Sequence, residues 1–323
     1  MELFNNILYV SEASVTQQAS IARAVSLAEN NQATLSVIDV VPAITAGARL
    51  LPGGRTPKAL QDAMVNERLN KLKALIAPYK DSIDIRLDVL VGTTFLQVIH
   101  SVLHNEHDLV IKPAENPSFI ERLFGSDDMQ LLRNCPCPVW LIPAGKESEY
   151  SCILAAVDLN PDMPDAVDET LNQQILDLSG SLALSAFTEL HFVHAWDAPG
   201  EITVLLWSDN ANESSSSYVE GVRASHQAAL DRFREQLRAQ VSAETYRHLS
   251  PQFHLRRGSP STVIPEMIKQ LESDLVIMGT VARTGISGLL IGNTAEAILE
   301  QVQCSVLAIK PSGFVSPVKL NRP

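Results

Sequence analysis

Short apolar segments alternate along the chain with longer segments in which apolar residues recur at helical spacing. In the first half, five apolar segments predict strands: Ile7–Val10, Thr34–Val41, Ile83–Val91, Leu109–Ile111 and Val139–Ile142. The segments between them predict helices, most clearly Thr16–Glu29, Ala59–Ala77, Phe95–Leu103 and a shorter one containing Met129–Leu132. This alternation is typical of an α/β fold with a parallel sheet and helices on both faces.

The second half repeats the pattern of the first. Gly92 precedes the segment Asp108–Ile111 by 16 residues, and Gly258 precedes the identical segment Asp274–Ile277 by 16 residues. A self-similar period this long indicates two copies of one domain. We therefore predict two tandem domains, each with a five-stranded parallel sheet and helices on both faces.

A short polar stretch, Ala144–Tyr150, separates the two copies. It places the predicted domains at residues 1–146 and 149–311, followed by a tail at 312–323. A linker this short keeps the two domains close together.

The stretch Asp274–Asn293 has the order of an anion-binding turn. An apolar strand ending at Met278 runs into Gly279, a loop follows, and Gly292, Asn293 and Thr294 begin the next helix. Glycine lets the backbone approach a ligand closely, and free N–H groups at a helix start attract anions. The order predicts a nucleotide site in the second half.

Composition narrows the function classes. Lys and Arg number 25 against 37 Asp and Glu, a net charge of −12, which disfavours binding to nucleic-acid phosphates. No apolar run approaches the ~18 residues that span a bilayer, and the first residues lack a secretory-signal pattern. Four cysteines in 323 residues suggest a reducing compartment. We expect a cytoplasmic protein without direct nucleic-acid or membrane contacts.

Several distinctive motifs occur together along the chain: Gly258-Ser259-Pro260, the run SDLVIMGT, the stretch RTGISGLLIGN and the cysteine-anchored segments CPCPVWLI and CSVLAIKP. In this combination the sequence resembles the universal stress protein family, in its tandem form. ATP-binding members of this family carry Gly-x2-Gly-x9-Gly-Ser/Thr after the fourth strand. Here the frame is Gly279-x2-Ala282-x9-Gly292-Asn293, so the outer glycines and both spacings are kept.

Two positions depart from the family frame. Ala282 adds a Cβ where a glycine with positive φ would stand, at a cost on the order of 1 kcal/mol. Asn293 replaces a hydroxyl residue, and with Glu296 three positions later it resembles a capping box that would compete with phosphate for the same N–H groups.

The resemblance implies further ligand contacts in the second half. Asp158 matches the family's acidic residue near ribose or a phosphate-bound metal, and Ala195 matches a position that lines the adenine pocket. Ala156 and Met278 complete the candidate set on their strands. The implied cofactor is ATP, with Mg²⁺ accompanying it, in the second half alone.

In the first half the corresponding positions depart further. Pro113 stands in place of Gly279 and removes a donor N–H. Asp127 and Asp128 lie in the first turn of the next helix, where carboxylates satisfy the helix dipole and repel a triphosphate. We expect no ATP there.

The resemblance also implies partners and a role. Single-domain members dimerise through the last strand, so Val139–Ile142 and Val306–Ile309 are expected to pair within this chain, with the tail wrapping over the neighbouring half. A further homodimer is open. The implied role is in stress response, including survival of DNA-damaging or growth-arrest conditions.

Other readings of the sequence remain. The apolar segment Ile202–Trp207 is predicted to be a loop, which would act as a lid over an apolar, lipid-like ligand. A ligand-free, pseudo-dimeric scaffold is another alternative. The sequence has no Gly-x-Ser-x-Gly, Walker A or His-Glu-x-x-His motif, so we expect no enzyme, although slow ATP hydrolysis is compatible with binding.

Two smaller clusters are candidate sites. His100, His104 and His107 are predicted on the solvent side of a helix, with His107 at or past the helix end and a metal role as the alternative. Cys135 and Cys137 are predicted to be small buried residues at a strand entrance, with redox activity as the alternative.

Overall fold

A computed structural model describes residues 3–44, 56–114, 127–145, 149–161, 166–207, 210–280 and 291–320. The strands of the first half are β1 Asn6–Val10, β2 Thr34–Val41, β3 Ile85–Val91, β4 Leu109–Pro113 and β5 Val139–Ile142. Its helices are α1 Gln18–Asn31, α2 Pro57–Ile76, α3 Thr94–Asn105 and α4 Asp127–Asn134.

The second half repeats this order with an insertion. Its strands are β6 Cys152–Ala156, β7 Glu189–Trp196, β8 Gln252–Arg257, β9 Leu275–Gly279 and β10 Ser305–Ile309. Its helices are α5 Ala166–Ala186, α6 Glu201–Trp207, α7 Ala211–Gln240, α8 Ala243–Leu249, α9 Pro260–Gln270 and α10 Asn293–Leu299.

The strands form one ten-stranded sheet in the order β3-β2-β1-β4-β5-β10-β9-β6-β7-β8. Strands within each half are parallel, as the alternating pattern predicts. The two halves meet where β5 and β10 pair antiparallel, with Leu307 opposite Trp140. The predicted α/β fold is confirmed.

The core lies in two layers, one on each face of the sheet, and each layer runs through both halves. One layer contains residues of α1, α2, α5 and α7, and the other contains residues of α3, α4, α9 and α10. The central strands are buried along their whole length, as in Leu109–Pro113 and Ser305–Ile309. Burial on both faces explains why these strands are mostly apolar rather than alternating between apolar and polar residues.

The predicted loop at Ile202–Trp207 is wrong, because this segment forms helix α6. The polar residues that follow it also become helical, from Ala211 onward in the 30-residue α7. The polar composition is misleading because α7 buries an apolar stripe only in its second half, at Leu230, Phe233 and Leu237. Helical spacing there, rather than local polarity, determines the structure.

The C-terminal tail crosses to the first half. Ser316 is buried, and Leu320 lines a cavity of about 720 Å³ together with Asn6, Arg86 and His100. The tail therefore adds a contact between the two halves besides the β5–β10 pair.

Candidate functional site

A cavity of about 470 Å³ lies at the carboxyl ends of the strands in the second half. Eight of the predicted site residues line it: Ala156, Asp158, Ala195, Met278, Gly279, Gly292, Asn293 and Thr294. Ala282 lies outside the described residues. In open α/β sheets ligands bind at this edge, where the strand order changes direction.

Backbone hydrogen bonds fix the wall formed by β9 and α10. The N–H of Gly292 donates to the carbonyl of Thr280 at 2.9 Å, and the N–H of Thr280 donates to the carbonyl of Ile309 at 3.1 Å. The start of α10 is thus fastened to the end of β9, which is itself fastened to β10. This arrangement holds residues 279 and 292 at the same side of the cavity.

A side chain of α5 closely approaches Gly279. A Cβ at this position would lie 2.6 Å from Cδ2 of Leu171, which also lines the cavity. The sequence resemblance assigns this glycine to the phosphate, and in the structure it also faces the end of the Leu171 side chain. A methyl group here would require Leu171 to shift.

The loop after β6 is held by Asn172, which sequence reasoning missed. The Asn172 side-chain amide donates to the carbonyl of Asp158 at 2.8 Å, and its Oδ1 accepts from the Asp158 N–H at 3.1 Å. The Asp158 residue is exposed at the cavity edge. Asn172 therefore positions the backbone of Asp158, the acidic residue among the described residues that line this cavity.

His194 contacts the same loop and is itself bonded to a second histidine, His226. His194 is buried, its Nδ1 lies 3.3 Å from the carbonyl of Val157, and its Nε2 lies 2.8 Å from Nδ1 of His226 on α7. His191 instead contacts His254 at 3.0 Å. The two strand histidines face opposite sides, as their odd spacing predicts.

Aliphatic side chains form most of the remaining wall. They are Val157, Leu171, Ile175, Ile264, Ala295 and Ile298. Helical periodicity predicts that Leu171 and Ile175 of α5 and Ile264 of α9 lie on the apolar faces of their helices. Only the fold shows that they face this cavity rather than the closed core. Helix α6 contributes no lining residue to the cavity, and its Ile202, Leu206 and Trp207 are exposed.

The predicted capping box at Asn293 is wrong. Gly292 is the N-cap of α10, no side chain caps this helix, and Asn293 is its first helical residue. Glu296 forms an ion pair with Arg133 of the first half instead of bonding back to the helix start. The Asn293 side chain therefore does not occupy the N–H groups of α10 as a cap.

The corresponding place in the first half is filled by a buried ion cluster. Lys112 is fully buried, and its Nζ lies 2.8 Å from Oδ1 of Asp128 and 3.5 Å from Oε2 of Glu12. Lys112 is the fourth residue of β4, as Met278 is of β9. Glu12 follows β1 by two residues, as Asp158 follows β6.

This cluster changes the physical reason for expecting no ATP in the first half. Asp128 does not act chiefly through the helix dipole, because its carboxylate pairs with Lys112. Burial raises the pKa of Glu12, but the Lys112 charge and hydrogen bonds from Ser14 outweigh it and leave that pKa below its usual value. The first half holds its own cation where the second half has a cavity.

His107 and the two cysteines of the smaller candidate clusters make contacts inside the protein. His107 is buried and bonded to Asn6 at 2.9 Å, so its predicted position on the solvent face is wrong; it lies beyond the end of α3. Cys135 and Cys137 are buried free thiols whose sulfurs lie 3.6 Å apart. Within the described ranges, no group of three or more His, Cys, Asp or Glu is placed to hold a metal ion.

None of the helices in the described part of the chain is long and apolar enough to cross a membrane.

The fold and the cavity define a duplicated α/β protein with a ligand-sized cavity in its second half. The Universal stress protein family model matches residues 3–143 and 149–310, one copy in each half. The chain belongs to the Universal stress protein family.

Several known proteins are similar to this chain. Universal stress protein E of Escherichia coli (strain K12) is 29% identical over 332 residues, covering 99% of this chain and 98% of that protein. A functionally unknown protein from Pseudomonas aeruginosa PAO1 shares the fold, with a TM-score of 0.66 and 23% identity over 97% of this chain and 95% of that one. A universal stress protein solved in complex with cAMP matches 50% of this chain and 98% of its own, with 15% identity and a TM-score of 0.33.

Proposed function

We propose that this protein is a non-catalytic, cytoplasmic stress regulator that binds one adenine nucleotide per chain, in the second half. The observation that carries the proposal is the cavity of about 470 Å³, which brings eight predicted residues together at the carboxyl edge of the sheet. The buried Lys112 cluster in the first half supports a single site.

The residues of the cavity suit different parts of a nucleotide. Ala156, Ala195 and the aliphatic side chains offer an apolar surface for the adenine ring. Asn293 and Thr294, at the uncapped start of α10, offer backbone N–H and hydroxyl groups for phosphates. Asp158 is the acidic residue among them. Magnesium is usually held by one or two carboxylates plus substrate phosphates, so Asp158 fits a Mg²⁺ that arrives with the nucleotide.

Regulation would follow from nucleotide-dependent contacts with protein partners rather than from chemistry. We propose, from the family resemblance, that this role is in survival of DNA-damaging or growth-arrest stress. A survival assay of a strain that lacks the protein, complemented with wild type or a binding-deficient variant, tests this part of the proposal.

The second candidate is an apolar ligand, which the largely aliphatic wall favours. Such a ligand would lie among α5, α9 and β9 rather than under α6, because α6 side chains are exposed and do not line the cavity. Heat denaturation of the purified protein, followed by mass spectrometry of the released molecules, separates the candidates. ATP or ADP near one per chain supports the first, and a lipid or acyl species supports the second.

The direct test is Gly292→Asp, measured by isothermal titration with MgATP. A carboxylate at the start of α10 repels phosphate, so we expect at least about tenfold weaker binding, equivalent to about 1.4 kcal/mol. Gly221→Asp is the matched control, because Gly221 is exposed on α7 and a Cβ there meets no atom within 4 Å. Equal affinity in the wild type and Gly292→Asp, or no binding and an empty extract in the wild type, contradicts the proposal.

A further inference from the structure

Helix α4 of the first half contacts the equivalent places of both halves. In its first turn, Asp128 accepts a hydrogen bond from Lys112 at 2.8 Å, inside the ion cluster. In its last turn, Arg133 pairs with Glu296 of α10, and the carbonyl of Leu132 accepts from Nζ of Lys310. The eight residues of α4 thus connect the ion cluster of the first half to the cavity of the second half.

Both contacts in the last turn reach walls of the cavity. Glu296 lies in the first turn of α10, two residues after Thr294, which lines the cavity. Lys310 also donates to Oγ1 of Thr280 at 2.8 Å, and Thr280 lines the cavity beside Gly279. The first half therefore fixes both the α10 wall and the β9 wall.

The other end of α4 is fixed just as firmly. Three residues of α4 are fully buried: Met129, Leu131 and Leu132. Lys112 is also fully buried, and it donates a further hydrogen bond to the carbonyl of Pro113 at 3.2 Å. A buried ammonium held by carboxylates restricts the position of the helix that supplies one of them, because losing the pair leaves an uncompensated charge. The cluster therefore sets where α4 begins, and so where Arg133 lies.

We propose that α4 is a positioning element for the second-half site, with Arg133 as its positioning residue and Lys112 as the internal cation that fixes it. The first half then has a function without binding a nucleotide, because its ion cluster keeps α4 in one place. This inference rests on the proposed nucleotide site for its effect on affinity, but the positioning of α10 can be measured without a ligand.

The first experiment compares MgATP affinity in full-length variants. Arg133→Met removes the pair with Glu296, and we expect at least about tenfold weaker binding, while Arg133→Lys keeps the charge and most of the affinity. Arg223→Met is the control, because Arg223 pairs with Glu220 on the exposed face of α7. If Arg133→Met does not fold, Glu296→Gln removes the same pair with less change in shape.

The second experiment measures hydrogen exchange of the α10 amides in the absence of nucleotide. Arg133→Met and the double variant Lys112→Met/Asp128→Ala should both speed exchange at residues 293–299, whereas Arg223→Met should not. Unchanged exchange in α10 together with wild-type MgATP affinity in Arg133→Met overturns the positioning role. Absence of MgATP binding in the wild type refutes the proposed function instead, and the exchange rates alone then decide whether α4 positions α10.

Discussion

Lys310 makes the stability of this protein depend on pH in a predictable direction. The residue is 5% exposed, and its ammonium donates to the Leu132 carbonyl and to the Thr280 hydroxyl, with the Phe314 ring 5.2 Å away. Burial lowers the pKa of Lys310 from 10.5 to about 8, although the charge of Cys135 acts in the opposite direction. The folded state therefore loses this proton at lower pH than the unfolded chain does.

The sign and size of the effect follow from that difference. Between about pH 8 and 10.5 the unfolded chain holds a proton that the folded protein has lost, so the free energy of unfolding rises with pH in this window. At 1.36 kcal/mol per pH unit, the full difference corresponds to about 3 kcal/mol. About 2.5 kcal/mol of it is expected between about pH 7 and pH 10.

Urea unfolding of the wild type and Lys310→Met over this pH range isolates the contribution. The wild type should gain stability relative to the variant by about 2.5 kcal/mol as the pH rises from about 7 to 10. Lys71→Met, which removes an exposed lysine paired with Glu67, is the control and should show no such trend. A stability difference between wild type and Lys310→Met that does not change with pH would refute the reasoning.

Three further predictions concern stability in urea. Lys112→Met leaves the buried Asp128 carboxylate without its cation and should cost about 3–5 kcal/mol, and adding Asp128→Ala should recover most of this; equal stability of Lys112→Met and wild type would contradict the ion cluster. Gly258→Ala should cost about 1–2 kcal/mol, because φ is 136° and a Cβ would lie 3.1 Å from Val263. Gly221→Ala, inside α7, should instead stabilise by about 0.5–1 kcal/mol.

Strand positions could be read from the sequence where burial is uniform. The predicted Val139–Ile142 coincides with β5, because this strand is buried at every residue and appears as an uninterrupted apolar run. The predicted Thr34–Val41 coincides with β2, in which buried apolar residues flank the polar Ser36 and Asp39. At the exposed segment 202–207 the same reasoning fails. Polar neighbours favour a loop there, although the segment is helical and exposed.

At the candidate site, the sequence predicted the local features but not the contacts between distant residues. Glycine spacing located Gly279 and Gly292 on one side of a cavity, since a turn between a strand and a helix is a local feature. The cap of α10 was misplaced by one residue, because whether Gly292 or Asn293 is the last non-helical residue depends on how the chain leaves the loop. Glu296 then has a partner, Arg133, that is 163 positions away.

The sequence by itself determined that this protein is a duplicated α/β fold and which half carries the glycine frame, because periodicity and spacing are local properties of the chain. The tertiary structure decided that an ion cluster occupies the site of the first half and that the site of the second half is a cavity. Lys112 looks like a polar end to an apolar strand until Glu12 and Asp128 are seen around it. Lys112, Glu12 and Asp128 come from three separate segments of the chain, so no local sequence pattern predicts that they meet.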